Sequence, residues 1–272
     1  MNYVLFLLLF PLTGFSLLRN FFSFYNKFYH YFQKSKKDIY PIANVPVHNQ
    51  RKLIVLTPAG MYGFYVLGVV SYLKQHYDLK DYVFSGASAG AWNSLFLTYN
   101  GQQSDEMYKN LFACISNSSN IYQMELNMKD FMINEFQHDD FELDRLNVGV
   151  ATLKHLSFKL YVYNDFDSLD DALDSCIASS HIPFISGGLY ANYRNRWSFD
   201  GGFYSYPYIK NIIPSLIIHP SMWNSTHTIA DFPISTLINF KRNPLNVSEL
   251  FTLGYNDTHN NKAILDQMFT SL

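Results

Sequence analysis

The sequence predicts an α/β domain in which a sheet is flanked by helices. Three observations lead to that fold class. Short apolar runs rich in β-branched residues have strand length, and segments with apolar residues at helical spacing alternate with them. In addition, a five-residue turn of small side chains, Gly86-Ala87-Ser88-Ala89-Gly90, joins one run directly to one helical segment. The 272 residues suffice for one large domain or two small ones. Hydrophobic residues at 48% and charged residues at only 15% exclude a disordered or collagen-like chain.

The elements follow in chain order. Tyr3 to Leu18 is uncharged, and its 16 residues fall just short of the roughly 20 that a spanning helix usually needs. Arg19, Lys27, Lys34, Lys36 and Lys37 come after it, and residues 1–37 contain no carboxylate. That segment carries +5 in a chain of net −2, which leaves −7 on the rest. The positive-inside tendency then makes residues 1–37 a hydrophobic and aromatic-basic membrane segment with the domain behind it on the cytoplasmic side. Phe21 to Phe32, where aromatics interleave with Lys27 and His30, suits the headgroup boundary. The alternative is a signal peptide cut near Gly14 and Ser16, leading to the secretory pathway, although no basic stretch precedes the apolar run. Only in that lumen would the sequons at Asn117, Asn224, Asn246 and Asn256 matter, and a chain this rich in Asn, Ser and Thr produces such patterns by chance.

Residues 38–51, with Pro41 and Pro46, form a linker to the main domain at 52–260, and 261–272 form a C-terminal tail. Leu53 to Thr57, LIVLT, is a continuous apolar run and predicts a strand buried on both faces. The loop Pro58 to Gly63 leads into a helix over Phe64 to His76, whose Val66, Val69, Val70 and Leu73 share one face. Tyr82 to Ser85 is a second strand, and Ala91 to Leu97 a helix. Further strands are predicted at Val148 to Thr152, Lys159 to Tyr163, Trp197 to Phe199 and Leu216 to His219, with helices at Asp105 to Ile115 and Leu169 to Ser179.

The chemistry centres on Ser88. A serine on a sharp strand-to-helix turn projects its hydroxyl out of the sheet, and only small neighbours such as Gly86 and Gly90 tolerate the crowded backbone. The following helix also points its free N–H groups toward the place where an oxyanion would form. A Gly-rich turn used only for packing is the competing reading. A serine hydroxyl needs a base. Asp200, which ends an apolar strand before Gly201 and Gly202, is one candidate, although Asp-Gly also serves as plain turn chemistry. A Ser, Asp, His order with His219 or His227 is the other. Spacing alone does not choose between them. Cys114 and Cys176 permit at most one bridge. The scattered histidines show no metal-ligand spacing, so no cofactor and no catalytic metal is expected. The balanced charge offers no footprint for nucleic acid.

Taken together, these residues resemble the patatin-like phospholipase family. Gly86-Ala87-Ser88-Ala89-Gly90 is similar to that family's nucleophile elbow, and Asp200-Gly201-Gly202 to its Asp-Gly-Gly/Ala motif. Asp171 to Pro183 resembles the helix and Ala-Ser-x-x-x-Pro turn before the family's catalytic Asp. Gly63 through Gly68 to Leu73 resembles its first helix, and Phe251-Thr252-Leu253-Gly254-Tyr255 its closing segment. The likeness covers about residues 52 to 260. It implies a layered patatin-like sheet and a lipid acyl hydrolase with a Ser88 nucleophile and an Asp200 proton acceptor, acting on membrane lipids. The family's oxyanion loop is usually Gly-Gly-Gly-x-Arg/Lys-Gly, whereas this chain reads Pro58-Ala59-Gly60-Met61-Tyr62-Gly63. Pro58 has no N–H to donate, which leaves the amides of Ala59, Gly60 and Ala89 to build the hole. A catalytically silent lipid-binding protein on the same fold is the alternative from a different class, and transacylation is a variant of the hydrolase.

Overall fold

The computed structural model of the protein describes residues 51–154, 157–203, 213–223, 237–241 and 246–269. The segment 1–37 and the linker up to residue 50 lie outside the described residues, as do Asn224 and His227.

The fold is a mixed α/β sheet with helices packed against it. At its centre β1 (Lys52–Leu56) pairs in parallel with β2 (Tyr82–Gly86) on one edge and β7 (Leu216–Ile218) on the other. The uninterrupted apolar run has a simple cause: Ile54 and Leu56 enter one core cluster with α1 (Gly63–His76), while Leu53 and Val55 enter another with Ala151, Leu160 and Phe199. A strand covered on both faces has no polar side to alternate with.

The full order is β5 (Ala191–Tyr193), β6 (Arg196–Phe199), β3 (Leu146–Lys154), β2, β1, β7, with β4 (Ser157–Tyr163) also pairing β3. β3 is long enough to serve three partners. Its first residues pair in parallel with β2, its later ones pair antiparallel with β6, and β4 runs antiparallel along the opposite edge.

The helices are α2 (Ala89–Thr98), α3 (Asp105–Ser116), α4 (Ile121–Glu135), α5 (Leu169–Ser179), α6 (Val247–Asn260) and the short α7 (Lys262–Leu265). Ser104, Asn120, Ser168 and Asn246 set where α3, α4, α5 and α6 begin, each side chain accepting a backbone N–H three residues on. Asn246 thus caps a helix, whatever its sequon. α1 and α6 cross at unusually close range, because a Cβ on Gly68 would stand 2.0 Å from the Phe251 carbonyl oxygen and one on Gly254 2.0 Å from that of Tyr65.

The predicted strands and helices all occur, with ends displaced by one or two residues, as fraying ends usually are. β7 stops at Ile218 rather than His219, before Pro220. Trp197 is not a core residue: it is half-exposed and stacks on Tyr190. α4, β5 and α6 have no counterpart among the predicted elements. Of the residues 261–272 expected to form a tail, the described ones, 261–269, supply core side chains: Leu265 is fully buried, and the Phe269 ring lies against Tyr77 and Tyr82. Cys114 and Cys176 are free thiols.

Candidate active site

Two strand ends meet at the site. β2 ends with Gly86 beside Val148, and β6, on the same edge of β3 but running the other way, ends with Phe199 beside Ala151. Their C-terminal ends therefore point at each other across Gly149 and Val150 of β3, a gap of three residue steps or roughly 10 Å at about 3.3 Å per residue. Ser88 leaves one end and Asp200 the other. Gly149 sits in the gap, where its carbonyl accepts from Ser179 Oγ at 2.7 Å, and Ser179 Oγ in turn accepts the Ser88 N–H at 2.9 Å.

The turn that carries Ser88 is strained. Its φ of 56° and ψ of −133° lie in a region that side chains rarely occupy, at a typical cost of about 1–3 kcal/mol. The surroundings hold it there through the Ser179 bond and the turn bonds Gly90 N to Ala87 O and Ala91 N to Ser88 O, both 2.9 Å. Gly86 and Gly90 are required by close approach, since added Cβ atoms would lie 2.2 Å from the Gly90 oxygen and 2.3 Å from the Leu56 oxygen respectively.

Ser88 Oγ donates to Asp200 Oδ2 at 2.8 Å. The other carboxylate oxygen, Oδ1, accepts from Gly202 N at 2.6 Å, and Asp200 N donates to the His181 carbonyl at 2.8 Å. Both side chains are buried, Ser88 at 6% and Asp200 at 7% exposure. Burial pushes the Asp200 carboxyl from 3.8 up to about 6, against the pull of the Gly202 and Ser88 hydrogen bonds. The group is thus ionised at neutral pH yet basic enough to accept a proton. Gly201 packs on the Gly149 carbonyl, where a Cβ would come within 2.0 Å.

The profile of a family described as patatin-like phospholipase matches residues 54–260. The chain belongs to the patatin-like phospholipase family. The solved structure of VipD from Legionella pneumophila is similar over 82% of this chain and 68% of that one, at 12% identity and a TM-score of 0.41. No curated protein sequence matches.

In this patatin-like chain the departed loop packs on the Asp-Gly-Gly turn, with Pro58 carbons 3.0 Å from where a Gly202 Cβ would stand. Gly60 opens a 3₁₀ turn, Gly60–Tyr62, at φ 52°, and Ala89 opens α2. Both line the same cavity as Ser88. As first residues of their helical segments, their N–H groups have no preceding turn of carbonyls to bond. Ala59 is buried and forms no part of that wall; its carbonyl accepts from Tyr62 N at 3.1 Å. Gly63, at the start of α1, leaves room for Ala89, and Asn93 Nδ2 ties the two helices by donating to the Gly63 and Ala89 carbonyls at 3.1 and 2.9 Å.

The cavity holds about 120 Å³ and is almost wholly apolar, walled by Met61, Phe64, Leu67, Trp92, Met124 and Met128. Its polar lining is Ser88, Asn93, Ser180 and one carboxylate, Glu125. Glu125 lines this space at 3% exposure, and burial holds its carboxyl well above the usual carboxylate range, with the Ser180 hydroxyl pulling back and the Asp200 charge adding to the rise. Glu125, Asn93 and Ser179 went unnoticed in the sequence. Ser179 alone had a signal, its place in the Ala-Ser-x-x-x-Pro turn.

The structure gives the histidine alternative no contact with the pair: His219 Nδ1 lies 3.1 Å from Ser221 Oγ, and the His181 ring meets the Gly188 carbonyl at 3.2 Å. His227 lies outside the described residues. Among the described residues no helix is long and apolar enough to cross a membrane, and no three His, Cys, Asp or Glu are grouped to hold a metal.

Proposed function

We propose that the protein is a lipid acyl hydrolase that cleaves acyl esters of phospholipids or other glycerolipids, with Ser88 as nucleophile and Asp200 as proton acceptor. The observation that carries this reading is the 2.8 Å contact between Ser88 Oγ and Asp200 Oδ2 at the edge of an apolar cavity that Ser88 lines. Ser88 Oγ attacks the ester carbonyl carbon while its proton passes to Asp200. The Gly60 and Ala89 amides hold the oxygen that gains charge. When the tetrahedral species collapses, the bond to the alcohol oxygen breaks and Asp200 returns the proton to that oxygen. Water then attacks the acyl-enzyme by the same route, releasing the fatty acid and restoring Ser88.

The aromatic, +5 segment 1–37 supports membrane association of the same protein, with the domain on the cytoplasmic side. Membrane lipids are then both substrate and surface.

The missing N–H at Pro58 favours a second reading, a lipid-binding protein with a silent site, because losing one oxyanion donor costs about 2.7–4 kcal/mol of transition-state stabilisation. One experiment separates the two. Wild type, Ser88→Ala and Asp200→Ala proteins are treated with a fluorophosphonate probe in micelles and assayed for fatty-acid release from mixed phospholipid vesicles. Labelling and release that vanish in Ser88→Ala support the hydrolase, and near-normal turnover in Asp200→Ala overturns the dyad. Absence of both activities in folded wild type supports the silent binder.

A further inference from the structure

Glu125 has no part in the mechanism above, yet among the described residues it is the one carboxylate in the lining of the cavity, which it shares with the polar side chains of Ser88, Asn93 and Ser180. It lies on α4 between Met124 and Met128, both of which line the same cavity. Its Oε2 is buried and finds no hydrogen-bond partner among the described protein atoms. The Ser180 hydroxyl against which Glu125 lies is already engaged, accepting from Trp92 Nε1 at 3.2 Å and donating to the Cys176 carbonyl at 2.9 Å. A buried polar oxygen without a partner is costly, and native folds seldom keep one without use.

The position relative to the nucleophile is set by three consecutive residues. Ser179 bonds the Ser88 amide, Ser180 meets Trp92 and Glu125, and the His181 carbonyl accepts from Asp200 N. Glu125 therefore stands beside the path an acyl chain takes away from Ser88.

From this geometry we infer that Glu125 forms a hydrogen-bonding subsite that selects acyl chains carrying a hydroxyl group. The inference rests on the acyl-hydrolase reading of the cavity. A hydroxyl both donates and accepts, so it satisfies a neutral carboxyl whichever oxygen holds the proton. Burial, with the nearby Asp200 charge adding to it, pushes the Glu125 carboxyl well above the usual carboxylate range and so favours its protonated form. A plain chain leaves Oε2 unpaired.

The test compares octadecanoic acid with positional isomers bearing one hydroxyl at carbon 2, 3, 6 or 12. Binding of the free acids to the full chain is read by fluorescence of Trp92, which lines the cavity, and hydrolysis of the matching phospholipid esters is measured beside it. At least one isomer is expected to bind about tenfold tighter than the plain acid, the worth of one net hydrogen bond, with the same ratio in kcat/KM. Glu125→Leu removes the preference and Glu125→Gln, which keeps a donor and an acceptor, retains it. Equal binding of every isomer and the plain acid by wild type overturns the inference without any variant having to fold, as does a preference that persists in Glu125→Leu. Selective binding with no ester hydrolysis would instead overturn the hydrolase reading and leave the subsite standing. A purely structural Glu125 would change stability in the variants but not the binding ratio.

Discussion

Replacing Asp200 by Asn should make the protein more stable at neutral pH while abolishing turnover. The carboxyl is buried, and its pKa in the fold is about 6 against an ordinary 3.8. Two units at about 1.36 kcal/mol each mean that ionising it in the folded state costs about 3 kcal/mol more than in the unfolded chain. The folded-state value is raised, so this stability is fully present below about pH 3.8 and is lost as pH rises through about 6. An amide keeps both contacts, with its oxygen accepting from Gly202 N and its nitrogen donating to Ser88 Oγ. At pH 7.5 the Asp200→Asn variant should gain about 3 kcal/mol, a shift of about 1.5 M in the urea midpoint at a slope of about 2 kcal/mol/M. At pH 4 the gap should shrink below about 1 kcal/mol, because wild type is then protonated in the fold. Urea unfolding followed by circular dichroism at the two pH values measures both. A variant no more stable than wild type at pH 7.5, or a gap that stays constant with pH, would refute the claim that a buried, ionised Asp200 faces Ser88.

Ester hydrolysis at limiting substrate should rise with pH through about 6 as Asp200 loses its proton, falling about tenfold per unit below that, and a pH-rate profile of kcat/KM with a neutral lipid ester checks it. Gly68→Ala and Gly254→Ala should each destabilise by about 1–3 kcal/mol, since either Cβ would stand 2.0 Å from a backbone oxygen of the facing helix. Thermal unfolding should then shift down by several degrees. Arg145→Met should cost about 1–3 kcal/mol in urea unfolding. That guanidinium is buried, donating to the Tyr82 carbonyl at 2.8 Å, to the Leu79 carbonyl and to Glu142, and its loss removes a donor from two backbone oxygens, of which Leu79 O keeps the Tyr82 N–H, while the half-exposed Glu142 turns to solvent.

The elements that sequence pattern revealed are those whose local preference and tertiary role agree. The run LIVLT has no polar side because β1 has no exposed face, and the small residues at 86–90 are spaced as the elbow's backbone contacts demand. α6 stayed hidden for the opposite reason. Gly254 in its middle weakens a helical reading, yet that glycine is what lets α6 approach the Tyr65 carbonyl. α4 was equally hard to read, because Glu125 lies on its buried side and blurs the apolar stripe of Ile121, Met124 and Met128.

The sequence by itself determined the α/β class, the elbow serine, the carboxylate before two glycines, and the family to which these motifs belong. It left aspartate and histidine as rival bases, because spacing along a chain says nothing about which strand ends will face each other. The facing of strand ends belongs to β3, which takes β2 and β6 on one edge in opposite directions and so brings together Ser88 and Asp200, 112 residues apart, at 2.8 Å. The raised pKa values of Asp200 and of Glu125 in the apolar cavity also belong to tertiary structure, since both arise from burial, and burial is a property of what the rest of the chain packs around a residue.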